Sequence, residues 1–265
     1  MELDDPTERD LGVCCGDFYN HPIVSALLDG IFHPGGLALS KLMADRMGVD
    51  CESDLLDIAC GDGKTATYLA RSLGCRVSGI DASQEMIDSA NQLAEDLRVN
   101  DRTEFMVALA GNIPYDDNTF SSAISECSLC TFYDKRQAVK EITRVLEPNG
   151  VFGLNDVTVN NRASLDEELQ SLLGRVACVA DALSSEEYVK LFEGAGYELL
   201  SSSDHSNLLQ ELARRAKGRA RFFREVGGDE DTMNKMNDAI RIISQIEKQI
   251  ESGNIGYEMF IFQAK

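Results

Sequence analysis

Apolar and polar positions follow two rhythms along this chain, and the switches between them lay out its elements. Short apolar runs near 54–59, 76–81, 104–108, 121–126 and 151–155 have the length and the bounding turns of buried strands. The stretches 64–73, 84–97 and 135–146 between them carry apolar residues at helical spacing. Alternation of this kind predicts an α/β fold, a mainly parallel sheet with helices on both faces. Ahead of the first strand, His21 to Leu28 and Leu37 to Met47 read as short amphipathic helices separated by Pro34-Gly35-Gly36. Beyond the fifth strand, Ser184-Ser185-Glu186-Glu187 opens a helix with a capping box, and Tyr197 to Ser202 is a sixth strand. Two long helices, about 206–225 and 230–252, precede a last strand from Tyr257 to Gln263. The expected organisation is a helical cap over 1–50, a core over 51–205, an inserted helix pair over 206–256 and a final core strand over 257–265.

One segment narrows the chemistry. Leu55-Leu56-Asp57-Ile58-Ala59-Cys60-Gly61-Asp62-Gly63, followed by Val77-Ser78-Gly79-Ile80-Asp81, reads as strand, tight turn, helix and a second strand ending in an acid. That is the layout of a nucleotide-binding βαβ unit. Gly61 and Gly63 are expected to leave the backbone bare where a ligand lies against it, with the helix from Lys64 presenting free N–H groups. Asp81 is expected to accept both hydroxyls of a ribose. The turn alone does not choose between cofactors, because Ala66 stands where a dinucleotide fingerprint also allows alanine.

Charge and composition remove several classes of partner. With 45 Asp and Glu against 25 Lys and Arg, the net charge of −20 repels nucleic acid and anionic lipid. At 265 residues the chain is long enough for one full core with a cap. No apolar run approaches a membrane span and Met1-Glu2-Leu3-Asp4-Asp5 is unlike a signal peptide, so a soluble, cytoplasmic protein is expected. Eight cysteines in such a chain argue for thiols in place of a disulfide framework. Met236, Ile240, Ile243 and Ile250 form an apolar stripe suited to internal packing. Arg214, Arg215, Lys217, Arg219, Arg221 and Arg224 form a basic island whose expected role is pairing with surrounding acids.

The Asp57 to Gly63 segment resembles motif I of the class I S-adenosylmethionine (SAM) dependent methyltransferases, with Ala59 in place of the first glycine. Ile113-Pro114-Tyr115-Asp116-Asp117-Asn118-Thr119-Phe120 and Glu141-Ile142-Thr143-Arg144-Val145-Leu146-Glu147-Pro148-Asn149-Gly150 resemble two further segments of that family's small-molecule branch. The resemblance implies a Rossmann-like seven-stranded sheet whose last strand is antiparallel, with the helix pair inserted before it. It implies SAM as cofactor, held by Asp57, Ala59, Cys60, Gly61, Gly63, Asp81, Ala82, Met86, Leu109, Ala110 and Glu126. Asn112-Ile113-Pro114-Tyr115 also matches a signature of RNA adenine dimethylases, but it follows the third strand instead of closing the fourth. Its position and the acidic charge both oppose that reading.

The cysteine spacing resembles the arsenite methyltransferases. On that comparison Cys127 takes a place after the fourth strand and Cys178 a later one, with Asn155-Asp156-Val157 between, and Cys14 or Cys15 takes an early one. Three converging thiolates would hold As(III) with its lone pair aimed at the methyl group, and the catalytic set implied is Cys14 or Cys15 with Cys127 and Cys178. The resemblance fails after residue 200, where the helix pair replaces a shorter region, and at Leu109-Ala110-Gly111, which lacks a carboxylate for an adenine amino group. A second reading is an organic acceptor (thiol, hydroxyl or carbon) with structural cysteines, for which His21 or His33 is a candidate base. A third is a SAM-binding or thiol redox sensor without turnover, using Cys14-Cys15 or Cys127 and Cys130. The expected state is a monomer or homodimer acting on a small molecule, without nucleic acid, membrane or metal cofactor.

Overall fold

The computed structural model describes residues 22–30, 32–170, 178–227 and 229–265. Two helices, α1 (Pro22–Leu28) and α2 (Gly36–Met47), precede the sheet. The core then runs β1 (Asp54–Ile58), α3 (Lys64–Leu73), β2 (Arg76–Asp81), α4 (Gln84–Leu97), β3 (Thr103–Val107), β4 (Phe120–Glu126), α5 (Lys135–Val145) and β5 (Leu146–Val159). It continues with α6 (Ser185–Glu193), β6 (Tyr197–Asp204), α7 (Ser206–Val226), α8 (Glu230–Glu251) and β7 (Ile255–Ala264).

The seven strands form one sheet in the order β3-β2-β1-β4-β5-β7-β6. Pairings among β1 to β5 are parallel, and β7 pairs antiparallel with both β5 and β6. The long helices α7 and α8 therefore sit inside the β6–β7 hairpin, as the sequence implied. Chain order reverses at β1, where β2 lies on one side and β4 on the other. A crevice at the C-terminal strand ends is the consequence.

Successive residues of each inner strand feed two separate cores, which is why these strands read as unbroken apolar runs. Leu55 packs with Met43, Leu69, Ile87 and Ile261 on one face. Leu56 packs with Val139, Ile142, Phe192 and Phe262 on the other. Ser184 caps α6 with the expected reciprocal box to Glu187. Strand β5 is longer than predicted, because Leu146 pairs with Phe120 and the ladder then resumes at Val151 opposite Ser122 across an irregularity. The stripe on α8 packs inward, Met236 against Leu27 and Ala220 and Ile250 in the larger core. In the basic island, Arg215 pairs with Glu211, Lys217 with Glu247 and Arg219 with Asp29. Among the described residues, no helix is long and apolar enough to cross a membrane.

Candidate active site

The crevice holds a cavity of about 400 Å³, within the usual size range of small-molecule sites. Its inner half is built from the ends of β1 and β2 and the loop after β3. Asp57, Ala59, Cys60, Gly61, Asp81, Ala82, Met86, Leu109 and Ala110 all line it. Its outer half comes from the cap and from the segments after β4 and β5: Asp29, Gly30, Phe32, His33 and Leu37 face Glu126, Cys127, Ser128, Thr131, Phe132 and Cys178.

The turn after β1 explains its own glycines, and they do different work. Gly61 has φ 53°, and a side chain there would project into open space. Gly63 is a correction: it does not line the cavity, and a Cβ there would come within 2.7 Å of the Ala90 Cβ on α4. Its bareness serves helix packing and a left-handed N-cap of φ 73°, leaving ligand approach to Gly61. Ala59 also adopts a left-handed φ of 60°, which accounts for the glycine preferred at that place in related turns.

Asp81 braces this turn. One carboxylate oxygen accepts the Gly61 N–H at 2.9 Å and the other accepts the Ser83 N–H at 2.9 Å. A carboxylate offers about four acceptor positions, so capacity remains for a ribose hydroxyl. Asp57 is 3% exposed, and its Oδ2 has no hydrogen-bond partner among the described residues. Burial pushes its carboxyl well above the ordinary range, and the nearby Glu126 and Asp81 add to the effect. An orphaned buried acceptor among three carboxyl groups fits a ligand that carries positive charge and N–H donors. The sulfonium and ammonium groups of SAM match that requirement, and the bare Gly61 backbone beside Asp81 matches its nucleoside.

Glu126, at the tip of β4, is the hinge between the two halves. Its Oε2 accepts from Ser40 Oγ at 2.8 Å and from Thr65 Oγ1 at 3.0 Å, and its Oε1 accepts from Asn155 Nδ2 at 2.8 Å. His33 Nε2 lies 3.6 Å from Oε2, close enough for charge interaction and too far for a direct hydrogen bond. Sequence reading named Glu126 and His33 but missed Ser40 and Thr65. No local pattern marks them, because they stand 86 and 61 residues from the carboxylate they hold.

The cysteines depart from a thiolate set. Cys127 and Cys178 do meet at the cavity, with the Cys178 thiol donating to the Cys127 carbonyl at 3.2 Å, and Cys130 is buried behind them. The Cys127 thiol is pushed well up by its hydrogen bond to Cys178 and then by burial; burial first and Cys178 second do the same to Cys130. The neighbouring Asp156 and Glu126 push the Cys127 thiol further up, the opposite of what a thiolate requires. Cys14, Cys15 and His21 lie outside the described residues. Among the described residues, no group of three or more His, Cys, Asp or Glu is arranged to hold a metal ion.

Fold and cavity together define an α/β domain with a small-molecule crevice at the C-terminal ends of its parallel strands. Residues 56–154 match the family described as a methyltransferase domain. The chain is 30% identical over 174 residues to methyltransferase GfsG of Streptomyces halstedii, a match spanning 64% of this chain and 62% of that protein. It is 29% identical over 188 residues to 27-O-demethylrifamycin SV methyltransferase of Amycolatopsis mediterranei, covering 71% and 69% of the two chains. Among solved structures, the [4+2]-cyclase SpnF superposes with a TM-score of 0.81 at 23% identity, covering 98% of this chain and 96% of that one. Because that neighbour is described as a cyclase, the shared fold does not by itself assign methyl transfer.

Proposed function

We propose that the protein is a SAM-dependent methyltransferase that methylates a hydroxyl of a small, largely apolar organic molecule. The observation that carries this is the two-part cavity: a carboxylate-rich inner half beside the bare Gly61 turn, continuous with an outer half of Phe32, Leu37 and Phe132 where His33 faces Glu126. When bound, SAM supplies an electrophilic methyl group. Asp57 would accept from its ammonium group, Asp81 from the ribose hydroxyls, and Glu126 would offset its positive charge. His33 Nε2 would take the acceptor's hydroxyl proton as its oxygen gains the methyl group and the methyl–sulfur bond breaks, the sulfur keeping the electron pair, and Glu126 would stabilise the imidazolium. The apolar wall excludes water and orients the acceptor, the main demand of an in-line displacement.

This reading replaces the metalloid acceptor with an organic one. The relatives' names support it, one of them described as a 27-O-demethylrifamycin SV methyltransferase, and so do the raised pKa values of the Cys127 and Cys130 thiols. Net charge of −20 supports a small-molecule acceptor over nucleic acid or anionic lipid, with the chain acting as a monomer or homodimer. Six thiols free of disulfides among the described residues support a cytoplasmic setting.

The test is release of S-adenosylhomocysteine from SAM by purified protein offered hydroxylated macrolactones and phenols, aliphatic thiols, and arsenite with a reducing thiol. Turnover with a hydroxylated acceptor, retained in Cys127→Ser and Cys178→Ser, is expected. Turnover with arsenite alone, lost in both variants, would restore the thiolate reading.

A further inference from the structure

The loop that closes the outer half of the cavity is gripped from two sides by cations belonging to different parts of the chain. From the core, Lys64 Nζ donates to the Gly30 carbonyl at 2.9 Å, pairs with Asp62 at 2.7 Å and stands 5.0 Å from the Phe32 ring centroid. From the inserted hairpin, Arg219 on α7 donates to the Leu27 carbonyl at 3.2 Å and to Asp29 Oδ2 at 2.5 Å. Leu27 is also seated by the hairpin, buried against Ala220 and Met236. Asp29 and Gly30, at φ 59° and 64°, turn the chain sharply between these two grips, and both line the cavity. A left-handed non-glycine residue is held at a cost, so the turn depends on what surrounds it.

Resting on the reading that the cavity holds SAM, we propose that Arg219 is a positioning residue and that the α7–α8 hairpin is a latch. The hairpin fixes the Asp29-Gly30 turn against Lys64, and SAM leaves only when the Arg219 grip opens. The insertion, which touches no predicted motif, thereby acquires a role in cofactor retention. Arg219 makes no contact with the reacting atoms; it acts through Asp29 and the Leu27 carbonyl. The Asp29 side chain is 65% exposed, so the latch is a modest one and is sensitive to salt.

The test pairs Arg219→Ala with Arg219→Lys in the full chain. Stopped-flow dissociation of SAM and of sinefungin is expected to speed up about three- to ten-fold in Arg219→Ala, with Arg219→Lys recovering much of the loss. Raising salt is expected to accelerate dissociation from the unaltered protein towards the Arg219→Ala rate and to leave that variant nearly flat. Hydrogen exchange without any ligand reads the latch independently of the cofactor, and faster exchange across 22–30 in Arg219→Ala with a melting temperature within about 2 °C of wild type is expected. Unchanged exchange and unchanged dissociation in Arg219→Ala would overturn the latch. Faster exchange with no binding of SAM even to the unaltered protein would instead overturn the reading of the cavity, and the proposed role in retention with it.

Discussion

The inner and outer halves of the cavity are built on opposite principles. Every inner residue but Met86, in the first turn of α4, sits at or just after the end of a parallel strand. The outer wall is assembled from pieces remote in sequence: a cap turn near residue 30, the segments after β4 and β5, and a helix hairpin that braces the cap from behind. A rigid inner half suits a ligand that stays the same from one relative to another. An outer half made of loops and insertions can be refitted to a new acceptor while the sheet is left alone.

The sharpest way to separate the halves is at His33. Removing its imidazole in His33→Ala should lower kcat by about 10²- to 10⁴-fold while calorimetric SAM affinity stays within about two-fold. Equal losses in both would place His33 in the cofactor half and break the division.

Asp156 tests the ground beneath both halves. Its carboxyl, on β5 and fully buried, is pushed up to about 7 by burial and by Cys178. The folded chain therefore binds this proton more tightly than the unfolded chain. Its contribution falls as pH rises from about 4 to about 7 and is level above that, an effect of up to about 4 kcal/mol. Subtracting the stability–pH curve of Asp156→Asn from that of wild type should isolate the slope. A flat difference curve would mean that Asp156 is ionised throughout.

Within the inner half, Asp57→Asn should weaken SAM binding about 10- to 100-fold by titration calorimetry, because the carboxyl's charge and one of its two acceptor oxygens are lost. The same change should leave stability equal or higher, since a buried carboxyl is neutralised. Ala59→Gly gives the smallest effect, a gain of about 0.5–1 kcal/mol from relief of the left-handed φ, read as a rise of about 1–3 °C in melting temperature.

Legibility in the sequence followed the same division. The inner parallel strands announced themselves because both faces are buried, and Asp57, Gly61 and Asp81, which line the cavity, could be read as candidates because strand, turn and acid are adjacent in the chain. Gly63 was misread for a physical reason: close helix packing and close ligand approach both demand a missing Cβ, and only the position of Ala90 tells them apart. The donors to Glu126 were invisible because Ser40 and Thr65 meet it only through the fold. The resemblance in cysteine spacing implied that Cys127 and Cys178 meet, and both line the cavity, but spacing carries no information about protonation, which the Cys178 hydrogen bond and then burial push towards the thiol at Cys127.

The most direct test of the two-part cavity is a crystal structure of the protein with S-adenosylhomocysteine. The ribose is expected beside Asp81, the amino group at Asp57 Oδ2, and the sulfur turned towards the gap between His33 and Glu126. A nucleoside bound elsewhere, or a sulfur turned away from that gap, would contradict the account.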